Sequence, residues 1–398
     1  MLTNLFFPVP SGSATQVRGL AAQLSQSGHR VIVITAHVDP NAPAHEHMEG
    51  FEVFRIPAVK LPKMSIALNF PWLNWTLWPR NLDRVADILK DQGIEVLHIH
   101  NHMFDMAFVG LLMRRRLGIP TILTLHTVIK HSNGFFNLLL YPADRLLLKH
   151  VVVKHVDKVI CPDVNMQRYL KDVFGREDGE LLPYGIEIPD HPGQEIEGDI
   201  VEKFGLRGRR IILSLGHVHA LRNRLDLIAA MPRIREEVPE VLLLIVGAVA
   251  DKRPVELAAK LRLDDTVLFA GAQPHAHVSV YHKLAEIEAM WIDQASGGLN
   301  PLGVACMEGM LAGKPVVTVS NIDTFGHNVM KNGREVVIID AHNPTKLAAT
   351  IVDLFGDSEK RARIGQAAKK LAKQRFRWSV IVERTVAIYQ EVAEAKKP

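Results

Sequence analysis

The sequence predicts an α/β protein built from two doubly wound parallel sheets. Three observations predict it. The chain has 398 residues, more than one ordinary hydrophobic core accommodates, so two domains are expected. Short apolar, β-branched runs alternate with segments of helical spacing, about five times in each half, the alternation of parallel βα units. Many of the runs end in turns of Gly, Ser or Pro, at the strand ends where open α/β sheets bind ligands.

In chain order, residues 2–7 are an apolar strand followed by a turn at 8–13. Residues 14–27 put Val17, Leu20, Ala21 and Leu24 on one helical face, Gly28 stops that helix, and residues 30–35 are a β-branched strand. Residues 39–79 are irregular, with a short strand at 51–56. Trp72, Trp75 and Trp78 recur every third residue and on a helical turn would share one side. Buried packing explains them first; an interfacial or acceptor-binding surface is the competing reading. Residues 81–90 form an amphipathic helix. The strand at 96–100 leads His98, His100 and His102 onto one face; no Cys or carboxylate stands at ligand spacing beside them, so hydrogen-bonded imidazoles are preferred to a metal. Arg114, Arg115 and Arg116 suit the negative end of the next helix. A strand at 121–125 runs into His126. Residues 137–157 read as a helix with one charged side, carrying Arg145, Lys149, His150, Lys154 and His155, an ordinary solvated face or a membrane-surface face. A strand at 159–162, a helix at 167–173 and a polar linker at 189–197 complete the first half.

The second half opens with a strand at 210–215 and Gly216. Further strands are predicted at 241–246, 267–271, 289–292 and 316–319, and amphipathic helices at 347–355 and 358–375. Residues 295–317 organise this half. Ser296, Gly297 and Gly298 make a small-residue turn, Pro301 suits a helix start, and Gly313 with Pro315 suits its stop. Such a turn lets backbone approach a ligand, and the helix start behind it favours phosphate. Glu308, two turns in, could reach a ribose diol. An ordinary βα loop with a surface Glu has the same spacing.

The stretch N-P-L-G-V-A-C-M-E-G-M-L-A-G-K-P-V-V from Asn300 to Val317 resembles E-P-F-G-L-x-x-x-E-A-M-A-x-G-x-P-V-V of the family 4 retaining glycosyltransferases, which have the two-domain GT-B fold. Glu308 keeps the family's second Glu; Asn300 replaces the first, which lies at the donor sugar. The resemblance covers nearly the whole chain. Ser11-Gly12 takes the place of the family's Gly-Gly loop, and Gly28-His29-Arg30-Val31 matches its turn into the second strand. Thr124-Leu125-His126 matches the strand end whose histidine contacts the donor sugar. Pro183-Tyr184-Gly185-Ile186-Glu187 resembles P-N-G-V-D at the end of the first domain. Gly216-His217-Val218-His219-Ala220-Leu221-Arg222-Asn223 stands where the family has G-R-x-x-x-x-K-G, whose two cations pair the diphosphate. Arg222 keeps the second cation with a bidentate fork, and His217 replaces the first with a partly charged imidazole. Residues 375–389 resemble the family's terminal F-S-W…Y helix.

The resemblance implies an N-terminal acceptor-side domain at 1–188, a nucleotide-sugar domain at 189–374, and a last helix at 375–398 crossing back onto the first domain, the two sheets facing a central cleft. It implies a glycosyltransferase that moves a sugar from a nucleotide diphosphate donor to a glycan, lipid-linked or small-molecule acceptor with retention. His126, Arg222 and Glu308 would be catalytic; Ser11, Gly12, Gly216, His217, Asn300, Pro301, Leu302 and Gly303 would bind the donor. The family needs no chelated metal, this chain has no D-x-D pair, and no cofactor beyond the co-substrate is expected. A sugar-nucleotide epimerase of the same fold and a silent GT-B subunit remain the alternatives, the latter because of His217 and Asn300.

Composition bounds the rest. Hydrophobic residues at 47% and charged residues at 23% are ordinary for globular chains. The net charge of 47 − 43 = +4 gives little support to nucleic-acid binding and permits attraction to anionic membranes. Two cysteines, Cys161 and Cys306, imply no disulfide framework and fit a reducing cytosol. No signal peptide is read at the start, and no apolar run of about 20 residues predicts a membrane span. A cytoplasmic location, with peripheral contact on the inner membrane face, is the expectation.

Overall fold

The computed structural model describes residues 1–9, 11–61, 73–129, 134–219, 222, 224–291 and 302–396. The chain divides into two compact units, Met1–Gly185 with Trp378–Pro398, and Ile186–Arg377.

The first unit contains strands β1 (Leu2–Thr3), β2 (Ile32–His37), β3 (His45–Met48), β4 (Phe51–Pro57), β5 (Val59–Leu61), β6 (Leu73–Trp75), β7 (Leu97–His100), β8 (Thr121–Thr124), β9 (Lys158–Cys161) and β10 (Gly179–Leu181). Eight of them form one sheet in the order β10-β9-β8-β7-β1-β2-β4-β3. All its pairs are parallel except β3–β4. The central strands β2, β7 and β8 are buried almost throughout because both faces of the sheet are covered. Ile32, Ile34 and Ile99 pack with the helices Pro79–Asp91 and Asp105–Leu117 on one side. Val33, Val53 and Ile122 pack with Gly12–Gln26 and Trp378–Glu394 on the other. Trp378 wedges between two glycines: a Cβ on Gly19 or Gly185 would lie 2.4 or 2.0 Å from its ring, so only glycine fits there.

The second unit has six parallel strands, β11 (Arg210–Leu215), β12 (Val241–Val246), β13 (Val267–Gly271), β14 (Ala285–Trp291), β15 (Val316–Val319) and β16 (Val337–Ile338), in the order β13-β12-β11-β14-β15-β16. Helices Leu225–Glu237 and Pro344–Gly356 pack on one face, Gln194–Lys203 and Val278–Leu284 on the other. Two doubly wound parallel sheets are therefore present.

Several elements depart from the sequence reading. The first strand stops at Thr3, which pairs with Thr35 and with His100, the last residue of β7; residues 4–7 have left the sheet. The expected helix at 137–157 is broken into Gly134–Pro142, a π-helical segment Ala143–Leu148, Lys149–Val151 and a 3₁₀ turn, because Pro142 has no N–H for the helical ladder. The helix at 167–173 begins at Val164, where the Asp163 side chain caps Met166, and widens into a π segment at Leu170–Phe174. Half of the expected linker at 189–197 is the start of the Gln194–Lys203 helix, whose first turn carries Glu195 and Glu197 at its positive end. Trp75 lies in β6, paired antiparallel with β5, so the tryptophans do not share a helical face; Trp75 is exposed, and Trp72 lies outside the described residues.

Candidate functional site

Strand order locates the site in the second unit. From β11 the sheet runs one way through β12 and β13 and the other way through β14, β15 and β16. The chain reverses between β11 and β14, and the crevice beyond the carboxyl ends of such strands is where open sheets take ligands. The first of these ends gives the loop 216–224; the second leads into the helix Val304–Ala312.

The loop from Gly216 to Arg224 carries His217, His219, Arg222 and Arg224 and no acidic residue. Gly216 has φ +104°, a conformation open to glycine and costly to other residues. Its missing side chain leaves the space that Arg222 uses: a Cβ on Gly216 would lie 1.8 Å from Arg222 Nη1. Gly247 completes the close approach, since a Cβ there would lie 2.4 Å from the Gly216 carbonyl oxygen. Arg224 is fully buried. Its guanidinium donates to the carbonyls of Leu215 at 3.1 Å and Gly216 at 3.4 Å, holding the turn beneath Arg222. Burial lowers Arg222 from the usual arginine value, and Glu308 draws it back. Burial, with Arg222, pulls Arg224 down to about 10. His217 is exposed.

Opposite, Gly303 is the N-cap of Val304–Ala312, and among the described residues no side chain caps that end, which leaves its first N–H groups for a ligand. Leu302 is buried beside it. Gly313, at φ +80°, ends the helix, and Lys314 N–H donates back to the Gly309 carbonyl at 3.0 Å, the expected stop. Glu308 is half-buried in the second turn. Burial pushes its carboxyl up to about 7, and Glu288 adds to the rise, while His282 and Arg222 oppose it. Asn300 and Pro301 lie outside the described residues.

Under the helix sits a pair that sequence reasoning missed. Glu288, in the middle of β14, is fully buried, and His282 is nearly so. His282 Nδ1 lies 3.3 Å from Glu288 Oε2. Burial raises the Glu288 carboxyl. Burial works against charge on His282, but Glu288 outweighs it and the imidazole is raised overall. Gly309 makes room for this pair: a Cβ there would lie 2.0 Å from Glu288 Oε2. A signal did exist, a Glu inside an apolar run facing a Gly inside a helix.

In the first unit the switch point falls between β1 and β7. Ser11 caps the helix Gly12–Gln26, its Oγ accepting from Ala14 N–H at 3.0 Å, and a Cβ on Gly12 would meet nothing within 4 Å. His126 stands beyond β8 with both ring nitrogens engaged, Nδ1 with Tyr184 Oη at 2.9 Å and Nε2 with His100 Nδ1 at 3.0 Å. Burial pushes it down to about 4, so the imidazole is neutral. His98 bonds Tyr389 Oη and Thr124 Oγ1, each at 2.7 Å, and His102 turns to Tyr169 at 3.2 Å. The three histidines of the 98–102 run are thus hydrogen-bonded to separate partners. Tyr184 was part of a matched motif without a role; its place on His126 appears only in three dimensions.

Comparisons with known proteins cover the chain in two parts. Residues 10–188 match the family Glycosyltransferase Family 4, and residues 198–371 match Glycosyl transferases group 1. An alpha-monoglucosyldiacylglycerol synthase of Streptococcus pneumoniae is 25% identical over 335 residues, 81% of this chain and 70% of that protein. A D-inositol 3-phosphate glycosyltransferase of Kribbella flavida is 26% identical over 331 residues, 78% of this chain and 74% of that protein. Among solved structures, the Anabaena protein HepE in complex with UDP and glucose aligns over 98% of both chains with a TM-score of 0.73 and 16% identity.

Proposed function

The chain belongs to the family 4 glycosyltransferases and has their GT-B fold, and from that premise we propose that it transfers a sugar from a nucleotide diphosphate sugar with retention at the anomeric carbon. One observation carries the reading: at the switch point of the second unit, Arg222 occupies the space above Gly216 while the helix start at Gly303 and the carboxyl of Glu308 belong to the neighbouring strand end. A diphosphate leaving group gathers negative charge as the glycosidic bond breaks, and fixed donors in a low-dielectric site stabilise it. Arg222 and the first N–H groups after Gly303 supply that stabilisation. Gly216 and Arg224 position Arg222. Glu308, when ionised, accepts from the ribose hydroxyls, and His217 with Leu302, Pro301 and Asn300 completes the donor contacts. Ser11, Gly12 and His126 are proposed donor contacts of the first unit, and His126 reaches a sugar hydroxyl by exchanging its bond to Tyr184 or His100.

The donor base is uracil on this reading, as in the UDP complex of the Anabaena structure. The acceptor is a lipid-linked, glycan or small polyol hydroxyl, and the reaction needs no chelated metal and runs in the cytosol. The test is NMR of the product formed from UDP-sugars and an acceptor panel, with a chelator present. An axial donor giving an axial product supports the proposal. An inverted anomer, or an absolute need for a divalent ion, overturns it; turnover of donor with no acceptor present points to an epimerase.

A further inference from the structure

The broken helical region from Gly134 to His155 carries apolar side chains on its outer side as well as its inner one. Its inward positions, spaced at helical intervals, are Asn137, Leu140, Asp144, Leu148 and Val152, with Leu140 half-buried against the core, two of the five polar. Asp144 is anchored there: it accepts from the Tyr169 hydroxyl and lies 3.5 Å from His102 Nε2. Many of the outward positions are apolar too. Phe135, Leu138, Leu139, Leu146 and Leu147 are 51–69% exposed, and Tyr141 lies among them. A solvated helix keeps its outward positions polar, and contiguous apolar surface of this kind marks a contact site.

Charge identifies the occupant. Between residues 134 and 155 the sole acidic residue is Asp144, which is buried. Arg145, His150 and Lys154 are exposed and Lys149 is half-buried. The outer face is therefore apolar with cations around it, as in helices that lie in the plane of a bilayer surface. No helix among the described residues is long and apolar enough to cross a membrane. We propose that residues 134–155 form a docking face for an anionic lipid surface, with the phenylalanine and leucine side chains entering the headgroup boundary and Arg145, Lys149 and Lys154 meeting lipid phosphates. On the transferase reading this face brings the enzyme to a surface where a lipid-linked acceptor is presented.

The experiment is flotation of the full chain with vesicles of phosphatidylcholine alone and of phosphatidylcholine with phosphatidylglycerol, at low and high salt. Wild type should bind the anionic vesicles more tightly and lose that preference in high salt. The quadruple variant Leu138→Ser, Leu139→Ser, Leu146→Ser, Leu147→Ser should lose at least about tenfold in partitioning for each leucine that enters the boundary. The double variant Arg145→Gln, Lys154→Gln should lose roughly fivefold per cation, on anionic vesicles only. Both variants change exposed positions, so their melting temperatures and nucleotide binding should match wild type; that second readout separates failure of docking from failure of the transferase reading. Wild type that fails to float with either vesicle overturns the proposal, as does a leucine variant that floats equally well. A wild-type dimer in light scattering that the leucine variant dissolves, without vesicle binding, assigns the face to a second copy of this chain and overturns it too.

Discussion

Replacing Gly216 with Ala should damage donor binding without touching the donor. The new Cβ would stand 1.8 Å from Arg222 Nη1 and 3.1 Å from its Cζ, against about 3.5–4.0 Å for relaxed heavy-atom contact. The guanidinium must leave. Residue 216 also keeps φ +104°, which for a side-chain-bearing residue costs about 1–3 kcal/mol, read as a lower melting temperature. Loss of a hydrogen bond to a charged group costs about 1.5–3 kcal/mol, so affinity for a nucleoside diphosphate should fall roughly 10- to 100-fold, while affinity for the nucleoside alone should stay within about threefold. Titration calorimetry of Gly216→Ala, Arg222→Ala and the double variant tests the coupling. The two changes should be far from additive, because Arg222→Ala has already removed what Gly216→Ala displaces. Additive losses, or equal losses for nucleoside and nucleoside diphosphate, would refute the link between Gly216 and Arg222.

Three more outcomes are expected. Glu308→Ala should weaken nucleotide binding roughly 10- to 100-fold in a folded protein, measured by calorimetry. Because the Glu308 carboxyl is raised to about 7, its protonated form is the one the ligand-free fold favours. Its contribution to stability is therefore present below the unfolded carboxylate range and lost as pH rises through about 7. Nucleotide affinity should move oppositely, falling below pH 7 as the carboxylate is lost, and Glu308→Gln should flatten that pH profile. Gly309→Ala should destabilise by about 1–3 kcal/mol of overpacking against Glu288, less the roughly 1 kcal/mol that Ala gains in a helix; thermal melts read the net, and a stabilised variant would contradict the packing described. Asn300→Glu should change sugar preference in a donor panel, since it replaces an amide donor with a carboxylate acceptor, and Asn300→Ala should lower donor affinity.

Local chemistry made some of this legible in sequence. Gly313 and Pro315 end a helix wherever they follow one, and Gly28 does the same, so those boundaries could be read directly. Strands covered on both faces, such as β11 and β12, announce themselves as apolar runs. Glu288 defeats that rule: a buried carboxylate in a central strand makes β14 look shorter than its seven residues. Pro142 does the reverse, interrupting a segment whose apolar spacing suggested one continuous helix. At the site, Gly216, Arg222, Gly303 and Glu308 were found by matched spacing. Arg224 was not, because a fully buried arginine that serves two carbonyls looks like any other basic loop residue. The hydrogen bonds joining Tyr184, His126 and His100 cross three separate parts of the chain, and no short-range pattern contains them.

The most direct measurement of the central claim is a thermal-shift panel of UDP, GDP, ADP and their sugars on wild type, Glu308→Ala and Arg222→Ala. A ligand at about 100 times its dissociation constant should stabilise wild type by roughly 2.7 kcal/mol. The account predicts a shift with one nucleoside diphosphate, UDP, and its sugar, cut with both to about 0.4–1.4 kcal/mol by the 10- to 100-fold weakening in Glu308→Ala, and reduced to that of the nucleoside in Arg222→Ala. A panel in which no nucleotide shifts wild type, or in which the shift survives both substitutions undiminished, would contradict it.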